Sequence, residues 1–427
     1  MKVLVVGGGG REHALAWGLA RSPSVAEVVA APGNPGIEAV AECVPVDAND
    51  VDAVATLADD LAVDLVVVGP EEPLVRGAVD AVESRGRAAF GPNAAGARLE
   101  GSKRWMKELV EGAGVATARH ASFGAGRERD ALEFLDTLDG LYVVKTDGLA
   151  AGKGVVVTES RDEARDAVGA YLSGDAFGDA GRTLVIEEGL RGPELSLLVV
   201  CNGDPDAAVP LAPAQDFKRI HDGDTGPNTG GMGAYSPVPI AGPELVDQVM
   251  ATAVAPTLHA LQEEGIEYRG VLYAGLMLTA DGPKVLEYNV RFGDPECQVV
   301  LPRLATDLGE LCLASARGEP LPEIGFVDDA CVTVVLATEG YPTETRKGDV
   351  IEGIDAAEAV DGVAVFHAGT ARRDDGSVVT AGGRVLAVTG VGPTIPDARA
   401  VAYAGAQRIT WPGVQYRADI AARVGGA

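Results

Sequence analysis

The sequence predicts a multidomain chain of mixed α/β and α+β class, and three observations carry that expectation. Through residues 1–100, apolar runs (KVLVVG, VAEVVAA, DLVVVGPE, AAFGP) alternate with helical stretches (EHALAWGLAR, LVRGAVDAVESRG), the rhythm of an open parallel α/β sheet. From residue 101 the pattern turns β-rich, with a glycine-filled hairpin at 143–157, a helix near 162–172, and the strands TLVIEE, ELSLLVVCNG and KVLEYNVRF. From residue 326 short strands (ACVTVVLAT, GVAVFHAG, GRVLAVTG) lead to a helix near 394–410, a small α+β domain. Pro/Gly joints near Gly91 and Pro320 mark the boundaries, giving units 1–100, 101–325 and 326–427, with a hairpin subdomain over about 120–190. A polar, glycine-filled stretch over 215–239 reads as one long loop, and loops of that length usually carry function.

Composition excludes several classes of partner. The formal charge is -28, from 63 acidic and 35 basic residues, and only eight of the basic ones are lysine. Such a chain repels nucleic acid and anionic membranes. The acidity is spread through patterned sequence, as suits a protein soluble in molar salt, where repulsion is screened within ~3 Å; a salt-loving source is expected. No apolar run is long enough to span a bilayer, and MKVLVV meets a glycine turn at once, so neither a membrane span nor a secretory leader is expected. Five cysteines, odd in number and never spaced C-x-x-C, suggest neither disulfides nor a zinc knuckle and fit a reducing cytoplasm.

The hairpin VVKTDGLAAGKGVVV looks like a phosphate loop but fails the test for one. A P-loop needs four residues before its Gly-Lys pair and runs from strand into helix, whereas three separate Gly148 from Gly152 and both flanks are β-branched. Gly148, Gly152, Lys153 and Gly154 therefore form a glycine-rich lid in a β-hairpin, with Lys145 pointing a cation toward it. The opening VLVVGGGGREHALA invites a dinucleotide reading, but counted from Gly8 or Gly7 the third glycine of G-x-G-x-x-G falls on His13 or Glu12. The acidic residue that would hold a ribose after the second strand is also missing. A phosphate or sugar-phosphate site on this turn and a purely structural turn both stand as readings.

Three further clusters carry chemistry. In KVLEYNVRFGDPE, strand alternation puts Glu287, Asn289 and Arg291 on one face and Leu286, Tyr288 and Val290 on the other, with Asp294 and Glu296 on the adjoining turn. Hard magnesium takes such oxygen ligands together with nucleotide phosphates, and Arg291 can meet an anion bidentately; the bland reading is the wet face of an edge strand. The stretch AQDFKRIHDGDTGPNTGGMGAYSP gathers Asp216, Lys218, Arg219 and Asp224 before the turn 230–233, whose amides could form an anion nest. In VIEEGLRGPE, Glu187 and Glu188 end a strand where a hinge could meet adenine, with Glu194 near ribose hydroxyls; paired strand-end glutamates are otherwise simply solvated. No histidine sits in a nucleophile setting, and His259 on its helix is read as structural.

The strand-end lysine, glycine-rich hairpin, Glu-Glu hinge and Glu-x-Asn strand together resemble the ATP-grasp fold. Within it, RFGDPECQ, DTGPNTGGMGAYSP, DGLAAGKGV, GGREHALAW and the C-terminal VFHAGT and GGRVLAVT are similar to the phosphoribosylamine-glycine ligase (glycinamide ribonucleotide synthetase) family, from residue 1 to about 420. The resemblance implies ATP and Mg2+ or Mn2+, with Lys103, Lys145 and the 148–154 hairpin on the phosphates. It implies Glu187, Glu188 and the backbone of Leu190 at adenine, Glu194 at ribose, and Glu287 with Asn289 on the metal. Asp216, Lys218, Arg291 and Asp294 would serve the reacting groups, no obligatory base being assigned beyond Asp294 as a candidate. Asn228, Thr229, Gly230, Gly231, Met232 and Gly233 would line the glycine and 5-phosphoribosylamine sites, and Gly8, Gly9, Gly10 and Arg11 would face the sugar phosphate. The all-glycine opening turn and the lid strand KTDG, where relatives more often read KADG, depart from the family pattern without removing a charge. A cytoplasmic monomer or weak homodimer is expected, with no nucleic-acid or membrane partner. The rivals are a nicotinamide oxidoreductase, a nonenzymatic nucleotide-binding module and a biotin-type carboxylase.

Overall fold

The computed structural model describes residues 1–149, 154–173 and 183–424. Five parallel strands open the chain: β1 (Lys2–Gly7), β2 (Glu27–Pro32), β3 (Glu42–Cys43), β4 (Leu65–Val68) and β5 (Ala88–Phe90), in the order β3-β2-β1-β4-β5. Val3 to Val6 of β1 are fully buried, as a central strand covered on both faces requires. Leu4 and Val6 enter one core and Val3 and Val5 the other. The expected helix over LVRGAVDAVESRG is instead broken into Glu71–Val75 and Ala78–Ser84, because Gly77 adopts φ 87°.

An antiparallel sheet follows, β6 (His120–Gly124), β7 (Tyr142–Thr146), β8 (Val155–Thr158) and β9 (Thr183–Glu188), in the order β6-β9-β7-β8. With the helices Glu128–Leu135 and Arg161–Leu172 it encloses a core of its own, built on Phe123, Leu135, Tyr142, Val144, Val168, Leu184 and Ile186. The hairpin β7–β8 is the expected one; Gly152 and Lys153 in its loop lie outside the described residues.

Beyond it come β10 (Glu194–Asn202), β11 (Val209–Pro210), β12 (Gln215–Asp216), β13 (Arg219–His221), β14 (Thr225–Asn228), β15 (Gly233–Ser236), β16 (Arg269–Thr279) and β17 (Gly282–Asn289). The four strands β12–β15 correct the reading of 215–239 as one irregular loop. β11-β10-β16-β17 form one sheet, while β12 and β15 leave it to join strands from the end of the chain: β18 (Ala330–Ala337), β19 (Val363–His367) and β22 (Arg384–Gly392), in the order β12-β15-β18-β22-β19. The remaining β20 (Thr370–Arg372) and β21 (Val378–Thr380) pair with each other. The C-terminal unit thus borrows two strands from 215–236. Among the described residues no helix is long and apolar enough to cross a membrane, and all five cysteines are unpaired.

The helix Ile395–Ala406 lies so close on β22 that a Cβ at Gly390 would stand 2.3 Å from both the Ala398 carbonyl oxygen and the Ala402 nitrogen. Backbone cannot yield as a side chain does, so Gly390→Ala should destabilise the C-terminal unit by about 1–3 kcal/mol. Urea unfolding followed by fluorescence should show a lower midpoint at unchanged slope; an unaltered midpoint would refute the close packing.

Candidate active site

The site is organised around a buried carboxylate. Glu187 on β9 is 1% exposed and is met by the ammonium groups of Lys107 and Lys145, each at 3.0 Å. Lys145 pairs opposite Val185 across the β7–β9 ladder, so Glu187 is its diagonal neighbour on the same face. Lys145, expected to point toward the hairpin, meets Glu187 and the Leu286 carbonyl, the latter at 3.4 Å. Burial alone lifts the Glu187 carboxyl, but the two lysines outweigh it and hold it below the usual range. Burial pushes Lys107 down to about 8 against the pull of Glu187. Lys145 stays above its ordinary value, because Glu187 and Glu287 outweigh the burial that lowers it.

Lys107 belongs to the helix Lys103–Gly112, and its Nζ also donates to Thr117 Oγ1 at 2.6 Å, whose hydroxyl donates in turn to the Val285 carbonyl at 2.6 Å. The start of that helix holds the hairpin's base: Ser102 caps Trp105, Asp147 accepts from the Arg104 amide at 3.1 Å, and Lys103 donates to the Gly148 carbonyl at 2.8 Å. At the hinge Glu188 points the other way, accepting from the Arg119 amide at 3.0 Å. Leu190, half-buried two residues on, has an amide with no internal partner among the described residues.

β17 carries the polar face expected of it, with one correction. Gly275 faces Glu287 while Leu276 faces Val285, so Leu286 is the extra residue of a bulge and does not join Tyr288 and Val290 in the core. The bulge turns the Leu286 carbonyl to Lys145. No described group hydrogen-bonds the Glu287 carboxylate, whose pKa burial would raise but Lys145, Lys218 and Lys103 lower. Asn289 Oδ1 accepts from Arg291 at 3.2 Å. Among the described residues no group of three or more His, Cys, Asp or Glu is arranged to hold a metal. A carboxylate and an amide oxygen two residues apart nevertheless fit a hard cation that completes its shell with phosphates and water. Arg291 is itself held by Glu100 at 2.7 Å and Glu71 at 3.3 Å.

A second charged cluster adjoins the first. Lys218 pairs with Asp216 at 2.7 Å and with Glu194 at 3.3 Å, which together lift it well above its ordinary value despite burial. Next to it Glu296, 2% exposed, accepts from Tyr273 at 2.6 Å and Ser196 at 3.1 Å. Burial, followed by the nearby Asp216, raises the Glu296 carboxyl. The turn 230–233 is not an open anion nest: the amides of Gly230, Gly231 and Met232 donate to Tyr341 Oη, Thr229 Oγ1 and the Phe217 carbonyl. Thr229 is fixed by its own bond to the Lys218 carbonyl at 2.7 Å, and Asn228 ends β14 opposite Arg219. Asp294 accepts from Gln298 at 2.8 Å and pairs with Arg384 at 3.1 Å; burial raises its carboxyl, and Arg384 with Arg11 more than reverse that.

The N-terminal turn faces the same region from the C-terminal edge of the parallel sheet. Glu12 reaches back to the Gly9 amide at 2.6 Å and takes Arg11 Nε at 2.6 Å, so a carboxylate fills the start of the helix Gly10–Ala20, where a dinucleotide pyrophosphate would lie. Arg11 is buried and also donates to the Phe292 carbonyl at 3.3 Å. Asn34 ties Gly8 to the C-terminal unit by donating to the carbonyls of Gly8 and His367. His13 accepts the His367 amide at 2.8 Å and is pushed down to about 3 by burial and by His367.

Sequence reading did not single out Lys107, Glu71, Glu100, His13 with His367, or Arg384. The Lys-x-x-x-Lys spacing of 103 and 107 put two lysines on one helical face and was the one local signal available.

Comparison with known proteins places this geometry in context. Models for the N domain, the ATP-grasp (A) domain and the C domain of phosphoribosylglycinamide synthetase match residues 1–100, 101–297 and 331–423. A phosphoribosylamine-glycine ligase of Streptomyces coelicolor is 50% identical over 431 residues, covering 100% of both chains. The crystal structure of phosphoribosylamine-glycine ligase from Thermotoga maritima is similar at TM-score 0.84 and 34% identity, covering 98% of this chain and 100% of that one. The biotin carboxylase domain of Hydrogenobacter thermophilus 2-oxoglutarate carboxylase, solved with MgADP, ADP and bicarbonate, gives TM-score 0.73 at 17% identity over 97% of this chain and 91% of that one, a likeness of fold alone.

Replacing Glu187 by Gln strands two buried ammonium groups, a loss of about 3–5 kcal/mol when one partner of a buried pair is removed. Lys107 binds its proton more weakly folded, at about 8, than unfolded, so stability rises with pH between about 8 and the ordinary 10.5. Without Glu187 that window opens at lower pH. The Lys107 share of the Glu187→Gln deficit should therefore narrow as the pH rises toward about 8, where the wild-type window opens; a pH-independent deficit in thermal melts would refute the shared carboxylate.

Proposed function

We infer that this chain, which belongs to the phosphoribosylglycinamide synthetase family, is an ATP-dependent ligase joining glycine to 5-phosphoribosylamine. Its products are glycinamide ribonucleotide, ADP and phosphate, a step of purine biosynthesis. The observation that carries this reading is Lys145, which links the Glu187 hinge to the metal-fitting strand through the Leu286 carbonyl. A fixed cation then stands between the place for a nucleotide base and the place for its phosphates.

The chemistry follows from what each group can do. Glycine's carboxylate is a poor electrophile, so one of its oxygens first takes the γ-phosphoryl group of ATP, forming glycyl phosphate and releasing ADP. Lys103 and Lys145 offset charge on the transferring group, and most of the acceleration is positioning. The amine of phosphoribosylamine then attacks the acyl carbon, the C–O bond to phosphate breaks, and the amine loses a proton. Water would capture the acyl phosphate first unless excluded, which is the work of the 148–154 hairpin. A divalent cation held by Glu287 and Asn289 would neutralise phosphate charge; magnesium and manganese both suit these oxygens.

The other assignments belong to the same proposal. The hinge backbone at Leu190 and the carboxylate-anchored strand end at Glu187 and Glu188 serve adenine, and Glu194 serves ribose. Asp216, Lys218, Arg291, Asp294 and residues 228–233 line the glycine and amine sites, with Gly8, Gly9, Gly10 and Arg11 toward the sugar phosphate. Units 1–100, 101–325 and 326–427 divide these tasks. The enzyme works in the cytoplasm as a monomer or weak homodimer, and the charge of -28 supports a salt-rich cell.

The test is ADP release in molar potassium chloride, with glycine and phosphoribosylamine (generated in place) each omitted in turn. ADP should appear only with both; formation with neither, or a requirement for bicarbonate, would overturn the substrate assignment. Glu287→Ala should abolish turnover at an unchanged unfolding midpoint, and a chelator should do the same reversibly. Full activity in that variant would make the metal assignment wrong.

A further inference from the structure

Arg384, the first residue of β22, stands outside every element given above to nucleotide or metal. Its guanidinium donates through Nη1 to the Gly230 carbonyl and to the Asp294 carbonyl at 2.8 Å, and pairs through Nη2 with the Asp294 carboxylate at 3.1 Å. One planar fork thus joins the 228–233 loop to the turn after β17. Two more contacts close the same seam. Tyr341 Oη accepts the Gly230 amide at 3.0 Å, and the Pro295 ring packs so near that a Cβ on Gly231 would stand 2.5 Å from Pro295 Cδ. Farther along the loop, Arg417 is 1% exposed and takes Asp224 at 2.7 Å and the Arg219 carbonyl at 3.1 Å, while Asp419 accepts the Gly223 amide at 2.8 Å. None of these contacts touches the hinge, Lys103, Lys145 or Glu287.

We propose that Arg384 is a positioning residue for the acceptor side of the reaction: it sets the spacing of the 228–233 loop and the Asp294 turn and so keeps phosphoribosylamine aligned with the glycyl group. The proposal rests on the ligase reading and deepens it. The glycines at 230 and 231 and the turn at Gly293 and Asp294 carry no apolar side chain between the buried Phe292 and Cys297 on one side and Met232 on the other, so the local spacing across the seam is set by the groups that bridge it. A guanidinium bonds several acceptors in one plane, whereas a lysine offers one point charge that cannot span the same set. If the spacing slackens, the phosphoryl step still proceeds at saturating glycine, because the groups that hold ATP lie on other elements. The acyl phosphate then waits for its amine. Water attacks the acyl carbon instead, the bond to phosphate breaks, a proton is released, and glycine is regenerated with one ATP converted to ADP and phosphate.

The experiment compares the full-length wild type, Arg384→Lys and Tyr341→Phe, measuring ADP and glycinamide ribonucleotide in the same reactions. Tyr341→Phe keeps the ring and removes only the acceptor for the Gly230 amide, which guards against a folding defect in the first variant. Both variants should raise the KM of glycine or of phosphoribosylamine, by about tenfold in Arg384→Lys, as misplacement of reacting groups costs. They should also form more than one ADP per product, with the KM of ATP and the unfolding midpoint unchanged. A ratio of one with unaltered acceptor KM values would overturn the proposal, and so would a parallel rise in the KM of ATP with a lowered midpoint, which marks general loosening. Wild type that forms ADP with neither substrate, or only with bicarbonate, would instead overturn the ligase reading, so the two failures are distinguishable.

Discussion

The shared carboxylate of Glu187 is the interaction on which the other parts of the site depend. Two ammonium groups and one carboxylate, almost wholly removed from water, are tolerated only where the geometry is fixed on every side, since their desolvation costs several kcal/mol per ion. Here that geometry draws on three elements at once: β9 supplies the carboxylate, β7 and the helix Lys103–Gly112 supply the cations. Thr117 and the Leu286 carbonyl then fasten the trio to β17. Moving any of these elements would strand a buried charge. The hinge, the base of the hairpin and the Glu287 strand therefore keep one arrangement, and the trio retains a net positive charge suited to a polyphosphate.

The same site explains an imbalance in the composition. Of eight lysines in the chain, Lys103, Lys107, Lys145 and Lys218 lie in these clusters, in a protein whose net charge is -28. In molar salt a surface field reaches only about 3 Å, so distant acidic residues neither repel a nucleotide strongly nor weaken it once bound. Affinity for an anion must then come from cations within contact distance and sheltered from mobile ions. Lys107 and Lys145, buried around Glu187, meet that condition, and Lys218, 33% exposed, is held in contact by Asp216 and Glu194, whereas lysines on the open surface would be screened.

What could be read in the sequence was what local periodicity encodes. β1, β9 and β17 announce themselves by continuous or alternating apolar runs, and the shared face of Glu287 and Asn289 follows from a period of two. The bulge at Leu286 could not be read, because it exists only in the register with Gly275 and Leu276 on the partner strand. Nor could the carboxylates of Arg291, which come from 191 and 220 residues away, or the contact of His13 with His367 across 354 residues. The stretch 215–239 reads as a loop because its strands are only two to four residues long, and the pairing that anchors them, β15 on β18, is made with the C-terminal unit. Lys107 carries no sequence signal of its own, because a lysine on an amphipathic helix is ordinarily solvated and only tertiary packing buries this one.

The division of contacts also bears on how an acyl phosphate survives. The β6–β9 sheet and its two helices enclose an apolar core separate from both main cores and meet the rest of the site at the Glu187 trio. The segment 215–233 is built in the opposite way, sharing a sheet with β18 and β22 and pinned at its tip by Arg417 and Asp419. A reaction that makes a water-sensitive intermediate is served by carrying its cover and its acceptor site on separate supports, so that closing the first does not displace the second. If one rigid body carried both, closure would displace the amine along with the lid. Under the assignments proposed above, the separate core of the β6–β9 sheet and the hold of the C-terminal sheet on 215–233 put cover and acceptor on different supports, which meet at the Glu187 trio.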